Sequence, residues 1–337
     1  MTLPLDRLFD HLDRMTDERG VLEQATGTVP NAEQGHRTTD NARLLVVTLH
    51  EPDTGVVKRL NRTALNLVAD AQHKDGRFKN KIDPTGKWTD KPTATDAWGL
   101  AMWGFGAACK HNDPRVRFTA SRGFTLGLRQ RPGTPRAMAY ATLGAIEVFA
   151  DDAESRHART MLVDMLALFP IVPTDTWMWA ESRLTTANAV VVEALIAASS
   201  ALGRTADLER AINVLTWLVD IESHDGHVSV TGTAGRGPGE PSPQFDQKPA
   251  DVAALANACW RAHAVTGDKT WSDTVIRCAE WFTGANDAKV AMIDTDSGGA
   301  FDSLTATGPS AHQGAEATLA FVSTMQRARS LTAAAQA

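Results

Sequence analysis

The sequence predicts an all-α chain folded as an (α/α)6 toroid, with an inner ring of six helices inside an outer ring. Three observations predict it. Helical periodicity recurs twelve times with almost no alternating strand pattern, a glycine turn recurs after helical segments, and every second helix has a polar entrance.

The helical segments run over residues 3–18, 38–50, 56–73, 95–110, 114–130, 135–150, 153–169, 183–202, 205–222, 247–266, 269–284 and 312–329. Breakers separate them, among them Glu51-Pro52-Asp53, Asn112-Asp113-Pro114, Arg131-Pro132-Gly133, Gly203-Arg204 and Gly267-Asp268. No proline- or serine-rich linker divides the chain, so residues 1–337 read as one domain. The loop TGTAGRGPGEPSPQ (231–244) is of a length that often carries function and is expected beside the cavity.

Three turns support pairing the helices into hairpins: QHKDGRFKN at 72–80, ESHDGHVSV at 222–230 and TDSGGAFDS at 295–303. Each places a glycine, suited to positive φ, before a short extended piece. Six hairpins fit a toroid, and a solenoid of helical hairpins is the alternative.

The entrances of the even-numbered helices carry the stronger signal. They read HRTTDNARLL (36–45), TATDAWGLAMWGFG (93–106), GTPRAMAYATLG (133–144), WMWAESRLTTANA (177–189), QFDQKPADVAALANA (244–258) and SAHQGAEATLA (310–320). Each begins with acids, amides, Arg, His or Trp and then turns to small and apolar residues suited to crowding round an axis. The other helices begin with solvated charge, as in NDPRVRF and DDAESRH. In a toroid the inner helices start at one end, so the polar entrances would line one cavity.

Composition narrows the partners. A formal charge of −6 without a dense Lys/Arg run argues against nucleic acid and anionic membrane. No apolar stretch approaches the roughly 20 residues that span a bilayer. The start, MTLPLDRLFDHLDRM, lacks a signal-peptide h-region. Cys109, Cys259 and Cys278 are an odd, scattered set that reads as reduced thiols, so a cytoplasmic location is expected.

Several residues also have ordinary explanations. Asp40, Asp96 and Asp246 stand where helix N-caps stand. Trp103 reads as core, Trp98 as core or pocket, and Trp217, Trp260, Trp271 and Trp281 as helix packing. Trp177 and Trp179 alternate as in an extended piece and would share one side of a groove. His224 and His227 flank a repeated turn and read as surface residues rather than metal ligands; no HExxH or CxxC is present, and no metal or cofactor is expected. GRGPGE lacks the Lys-Ser/Thr of a phosphate loop, and there is no GxSxG elbow.

The ordered motifs W-x-W-x-E (Trp177, Trp179, Glu181), L-T-x-x-N-A (184–189), F-D-Q-x-P (245–249), G-G-x-F-D-x-L (298–304) and Q-G-A-E-A-T-L-A (313–320) carry a resemblance. Asp40–Arg43 and Asp96, Gly99 and Trp103 add weaker matches. Together they resemble bacterial six-hairpin toroid proteins described as glycosidase-like or glycosyltransferase-associated, over about residues 36–325. The resemblance implies a carbohydrate-processing toroid acting on an oligosaccharide or glycan, with a glycosyltransferase as an alternative partner.

Glycosidic cleavage uses one protonated and one ionised carboxyl group. Glu181, beside two tryptophans that would desolvate it, is the candidate acid; Asp246, followed by Gln247 and Lys248, is the candidate base. Asp40 and Asp96 are catalytic reserves. Trp98, Trp177 and Trp179 would stack on sugar rings, while Arg136, Asn188, Gln247, Asp302, His312 and Glu316 would bind hydroxyls. A sugar epimerase would instead need general-base histidines, of which only His36 and His312 sit at inner entrances. A silent glycan-binding or accessory module would keep the tryptophans without an acid pair.

Overall fold

The computed structural model describes residues 7–169 and 177–334. The expected first helix includes residues 3–6, which lie outside the described residues. Among the described residues twelve α-helices occur, in the expected order. They divide into two compact units, one over residues 9–168 and one over the remaining described residues.

In the first unit the helices are α1 (Asp10–Met15), α2 (Thr38–Thr48), α3 (Gly55–Asp70), α4 (Asp96–Ala108), α5 (Pro114–Gly127), α6 (Pro135–Asp151) and α7 (Arg156–Leu168). Helices α2, α4 and α6 pack side by side, and α3, α5 and α7 each pack on the helix before them. The even helices are buried nearly all round, as Ala97 to Met102 of α4 illustrate, whereas α3 buries one stripe containing Val57, Leu60, Ala64, Leu65 and Val68. A helix apolar all round belongs inside and an amphipathic one outside. Glycine lets the inner helices meet backbone to backbone. A Cβ on Gly106 of α4 would lie 2.2 Å from the carbonyl oxygen of Gly144 on α6.

The second unit repeats the scheme with α8 (Asn188–Ala201), α9 (Thr205–Ile221), α10 (Pro249–Thr266), α11 (Lys269–Trp281) and α12 (Ala315–Ala334). Helices α8, α10 and α12 form its inner row, with α9 on α8 and α11 on α10 and α12. The alternation across both units is that of the (α/α)6 toroid class.

The three repeated turns are present. Gly76, Gly226 and Gly298 have φ of 96°, 83° and 74°. Each turn closes a short antiparallel pairing: Gln72 with Phe78, β5 (Ser223–His224) with β6 (His227–Val228), and Ile293 with Ala300. The other small sheets pair β1 (Ala25–Thr26) with β2 (Val29–Pro30), β3 (His36–Arg37) with β4 (Lys81–Ile82), and β7 (Leu304–Thr305) with β8 (Gly308–Pro309). Among the described residues no helix is long and apolar enough to cross a membrane.

Two helices fall furthest short of the spans the periodicity predicts. Helix α1 stops at Met15, where Thr16 turns extended and its hydroxyl donates to the Leu12 carbonyl. Helix α8 starts at Asn188 instead of near 183, because Leu184 pairs in extended conformation with Arg236 and Ala187 is left-handed at φ 51°.

Candidate active site

The capping explanation for the entrance acids fails. Side-chain N-caps occur on outer helices: Thr54 accepts from the Val57 N–H, Asp113 from Arg115 and Asp268 from Thr270. Inner helices α2, α4, α6, α8 and α10 have no side-chain cap hydrogen bond, and their N-cap residues are Arg37, Thr95, Thr134, Ala187 and Lys248. Asp40 and Asp96 lie inside the first turns of α2 and α4, and Asp246 lies three residues before α10.

In the first unit Asp40 is buried and faces Arg43 at 3.6 Å, one turn along α2. Asp96 is exposed, and Arg136, in the first turn of α6, is half-buried. Trp98 is fully buried and donates its indole N–H to the Gly127 carbonyl at 3.0 Å, so it has no ring face for a sugar; the expectation of stacking gives way to a core role. Trp103 is half-buried and stacks on Tyr140 with ring centroids 5.9 Å apart.

In the second unit three entrances form one hydrogen-bonded frame. The Ala187 N–H at the start of α8 donates to the Asp251 carboxylate on α10. Gln247, ahead of α10, exchanges both backbone hydrogen bonds with Leu304 of β7, each 2.9 Å. The 231–244 loop joins the frame through the Leu184–Arg236 backbone pair and through Arg183, which grips Glu240 with two guanidinium nitrogens. That contact, with the Gly237 N–H, pulls the half-buried Glu240 carboxyl down to about 2.

The frame explains the opening aromatics at α8. Trp177 donates its indole N–H to the backbone carbonyl of Glu181 at 2.9 Å, and Trp179 donates to the Glu181 carboxylate at 3.1 Å. Trp179 is buried against Phe169, and Trp177, half-buried, meets Trp217 edge-on at 5.1 Å. The tryptophans therefore hold the turn that carries Glu181. Their contact with the acid is through N–H donors rather than ring faces, and Trp179 has no open face for stacking.

Two amides expected to bind hydroxyls are turned inward. Asn188 accepts from the Thr185 N–H and donates to the Thr185 carbonyl, closing the bend before its helix. Gln247 is fully buried; its amide donates to Asp287 at 2.6 Å and to the Gln244 carbonyl at 3.0 Å, and its oxygen accepts from Trp281. Both serve the frame.

Groups left facing outward lie near the starts of α10 and α12. Asp246, His312 and Glu316 are exposed, and Asp302 is half-buried. The Asp302 carboxylate accepts from the Gly314 N–H at 2.6 Å, and its own N–H donates to the His312 carbonyl at 3.0 Å. Burial pushes the Asp302 carboxyl up; the Gly314 N–H, Lys248 and His312 oppose this, and Glu316 reinforces it. A carboxyl inclined to keep its proton, with a second carboxylate, a lysine and a histidine nearby, has the makings of acid–base chemistry.

Sequence reasoning missed Asp251, Glu222 and Asp287. Asp251 looks like ordinary first-turn charge. Glu222 ends α9 inside a repeated turn and is fully buried, where desolvation raises its carboxyl to about 7 against hydrogen bonds from Thr231 and Asn188. Nothing local in GANDAKV marks Asp287 as buried.

No protein-family model and no curated protein sequence matches the chain. Its fold is similar to solved structures along nearly its whole length. A sugar epimerase from a ruminal bacterium matches with a TM-score of 0.74 at 14% identity, covering 98% of this chain and 96% of that one. A cellobiose 2-epimerase from Spirochaeta thermophila matches with a TM-score of 0.69 at 14% identity over 97% and 96%. An α-1,6-mannanase from a Salegentibacter species matches with a TM-score of 0.66 at 13% identity over 96% and 99%. At such low identity the likeness shows the fold, and the chain has the six-hairpin (α/α)6 toroid fold these enzymes share.

Proposed function

We propose that this chain is a carbohydrate-active enzyme that cleaves or transfers a glycosidic linkage of an oligosaccharide, using carboxyl groups at its inner-helix entrances. The observation that carries the reading is Asp302: a half-buried carboxyl whose proton affinity is raised by burial, close to Lys248, His312 and Glu316. In this reading Asp302 takes the acid role first given to Glu181 and protonates the departing oxygen. Asp246, exposed two residues before Lys248, acts as base. Glu181, held by Trp177 and Trp179, binds the sugar. The fold's use by an α-1,6-mannanase supports the reading by analogy. The chain is taken as a single functional domain in the cytoplasm, in keeping with its free thiols.

A second reading is favoured by a specific observation. His312 lies close enough to Asp302 to lower its proton affinity, and two of the similar structures are sugar epimerases. A histidine working with a carboxyl group suits proton abstraction beside a carbonyl.

The purified protein is incubated with a panel of oligosaccharides, with and without phosphate, and products are separated by chromatography. Shorter saccharides or sugar phosphates, lost in Asp302→Asn and Asp246→Asn with binding retained, support cleavage or transfer. Conversion of the reducing-end sugar without chain shortening supports the epimerase reading instead. Binding without any conversion supports an accessory module, with a glycosyltransferase as its partner. Full activity in both single variants refutes the assignment of Asp302 and Asp246.

A further inference from the structure

Within the second unit, and outside the catalytic assignment above, two histidines and an aspartate converge. His224 on β5 and His227 on β6 straddle the Asp225-Gly226 turn, and Asp287 comes from the loop after α11. His224 Nδ1 lies 3.2 Å and His227 Nε2 2.9 Å from the same oxygen, Asp287 Oδ1. The three ligand atoms all lie within 4.8 Å of one another. The two imidazole rings are nearly perpendicular, at 89° with centroids 6.0 Å apart, so different ring edges face one point.

From this geometry we infer that His224, His227 and Asp287 form a binding site for a zinc-class divalent ion, with a fourth position open to solvent. Tetrahedral ligands at zinc-like bond lengths of about 2.0–2.1 Å stand about 3.3 Å apart, close to the separations found here. Two imidazoles and one carboxylate select a borderline first-row ion over Mg²⁺ or Ca²⁺, which prefer all-oxygen shells. The carboxylate is prepared for the role. Gln247 donates to Oδ2, the oxygen the histidines do not use, at 2.6 Å; outer hydrogen bonds of this kind orient a metal-binding carboxylate.

Access is one-sided. The Asp287 side chain is 1% exposed, His227 18% and His224 34%, so an ion enters from the His224 side and keeps a water there. On binding, each imidazole presents a ring-nitrogen lone pair to the ion, and any proton carried on that nitrogen passes to the other ring nitrogen or to solvent. Bound there, the ion ties the α9–α10 hairpin turn to the loop after α11. Through Gln247 and its pairing with Leu304, it also stiffens the segment that presents Asp246.

The full-length, untagged protein is stripped with a chelator, dialysed, and titrated with Zn²⁺ by calorimetry, with metal content measured afterwards. The expected result is one ion per chain, a higher melting temperature with Zn²⁺ but not with Mg²⁺, and a Co²⁺ derivative whose absorption lacks thiolate bands. His227→Gln and the more exposed His224→Gln should each weaken binding by at least about tenfold, while His73→Gln, at a separate His–Asp contact, leaves it unchanged. Circular dichroism checks that the variants fold. Failure of the wild type to bind Zn²⁺, or wild-type affinity in both His224→Gln and His227→Gln, overturns the site. Because metal binding is read directly, it stands or falls independently of any catalytic activity.

Discussion

Replacing Glu222 by Gln tests how the core of the second unit handles a buried acid. Glu222 is 2% exposed, accepts from the Thr231 hydroxyl at 2.8 Å, and is raised by burial from 4.5 to about 7. The sign follows from which state holds the proton. Below 4.5 both folded and unfolded chains carry it, and the stability is fully present. Between 4.5 and about 7 the unfolded chain releases the proton while the folded chain keeps it, so stability falls as pH rises, and it levels off above 7. A rise of that size corresponds to about 3 kcal/mol at roughly 1.4 kcal/mol per pH unit. Glutamine mimics the protonated acid and keeps an oxygen for Thr231. The variant should therefore match the wild type near pH 4.5 to within about 1 kcal/mol and exceed it by about 2–3 kcal/mol at pH 8. Urea unfolding of both proteins from pH 4.5 to 8 reads the difference, in which every other titrating group cancels. Parallel stability curves for the two proteins would show that the buried carboxyl ionises at no cost and would refute the reasoning.

Other expectations follow from burial and capping. Trp98→Ala should cost about 3–5 kcal/mol in urea unfolding, as removal of a buried ring does, while sugar affinity per folded molecule stays unchanged; a selective loss of affinity would return Trp98 to the pocket. Asp113→Ala, at a true N-cap accepting from the Arg115 N–H at 2.8 Å, should cost about 1 kcal/mol of stability. Asp246→Ala, exposed and capping nothing, should stay within about 0.5 kcal/mol, and comparable losses at the two positions would restore the capping explanation. Gly106→Ala forces a methyl group to 2.2 Å from the Gly144 carbonyl and should destabilise by about 1–3 kcal/mol, read as a lowered melting temperature.

The fold was legible because its determinants are local and repeated. Periodicity placed twelve helices, and the glycines of three turns take the positive φ their spacing predicts. Small residues at inner helices announced close packing, which Gly106 and Gly144 realise. The misplaced boundary at α8 was not local. Residues 183–187 have a helical pattern, yet Arg236, about fifty residues on, pairs with Leu184, and Asp251 binds the Ala187 N–H. Long-range hydrogen bonds to the segment before the helix override local propensity there, and no window of sequence contains them.

The sequence marks the polar side chains of the helix entrances but not the use each is put to, for a reason that follows from building a frame out of helix entrances. A polar residue at the start of a buried helix has two uses: to face a ligand, or to satisfy the backbone of a neighbouring entrance that water does not reach. Composition cannot separate them. Asn188 and Gln247 look like sugar ligands but spend their amides on Thr185, Gln244 and Asp287. Trp179 looks like a stacking platform and is a buried donor to Glu181. Of the second-unit residues singled out from the sequence, those turned inward are amides and indoles, which carry donors and, in the amides, acceptors without charge; the buried acid of the frame, Asp251, is matched to the Ala187 N–H. Those left outward at α10 and α12 are the charged Asp246, Glu316 and Lys248, with His312, and Asp302 lies between the two classes. Burying a charge without a partner costs far more than burying an amide that finds its hydrogen bonds, so this division is what the energetics select. Asp302 is then the informative residue. It is buried enough to favour its proton and close enough to opposite charge to lose it, which is the condition an acid–base group must meet.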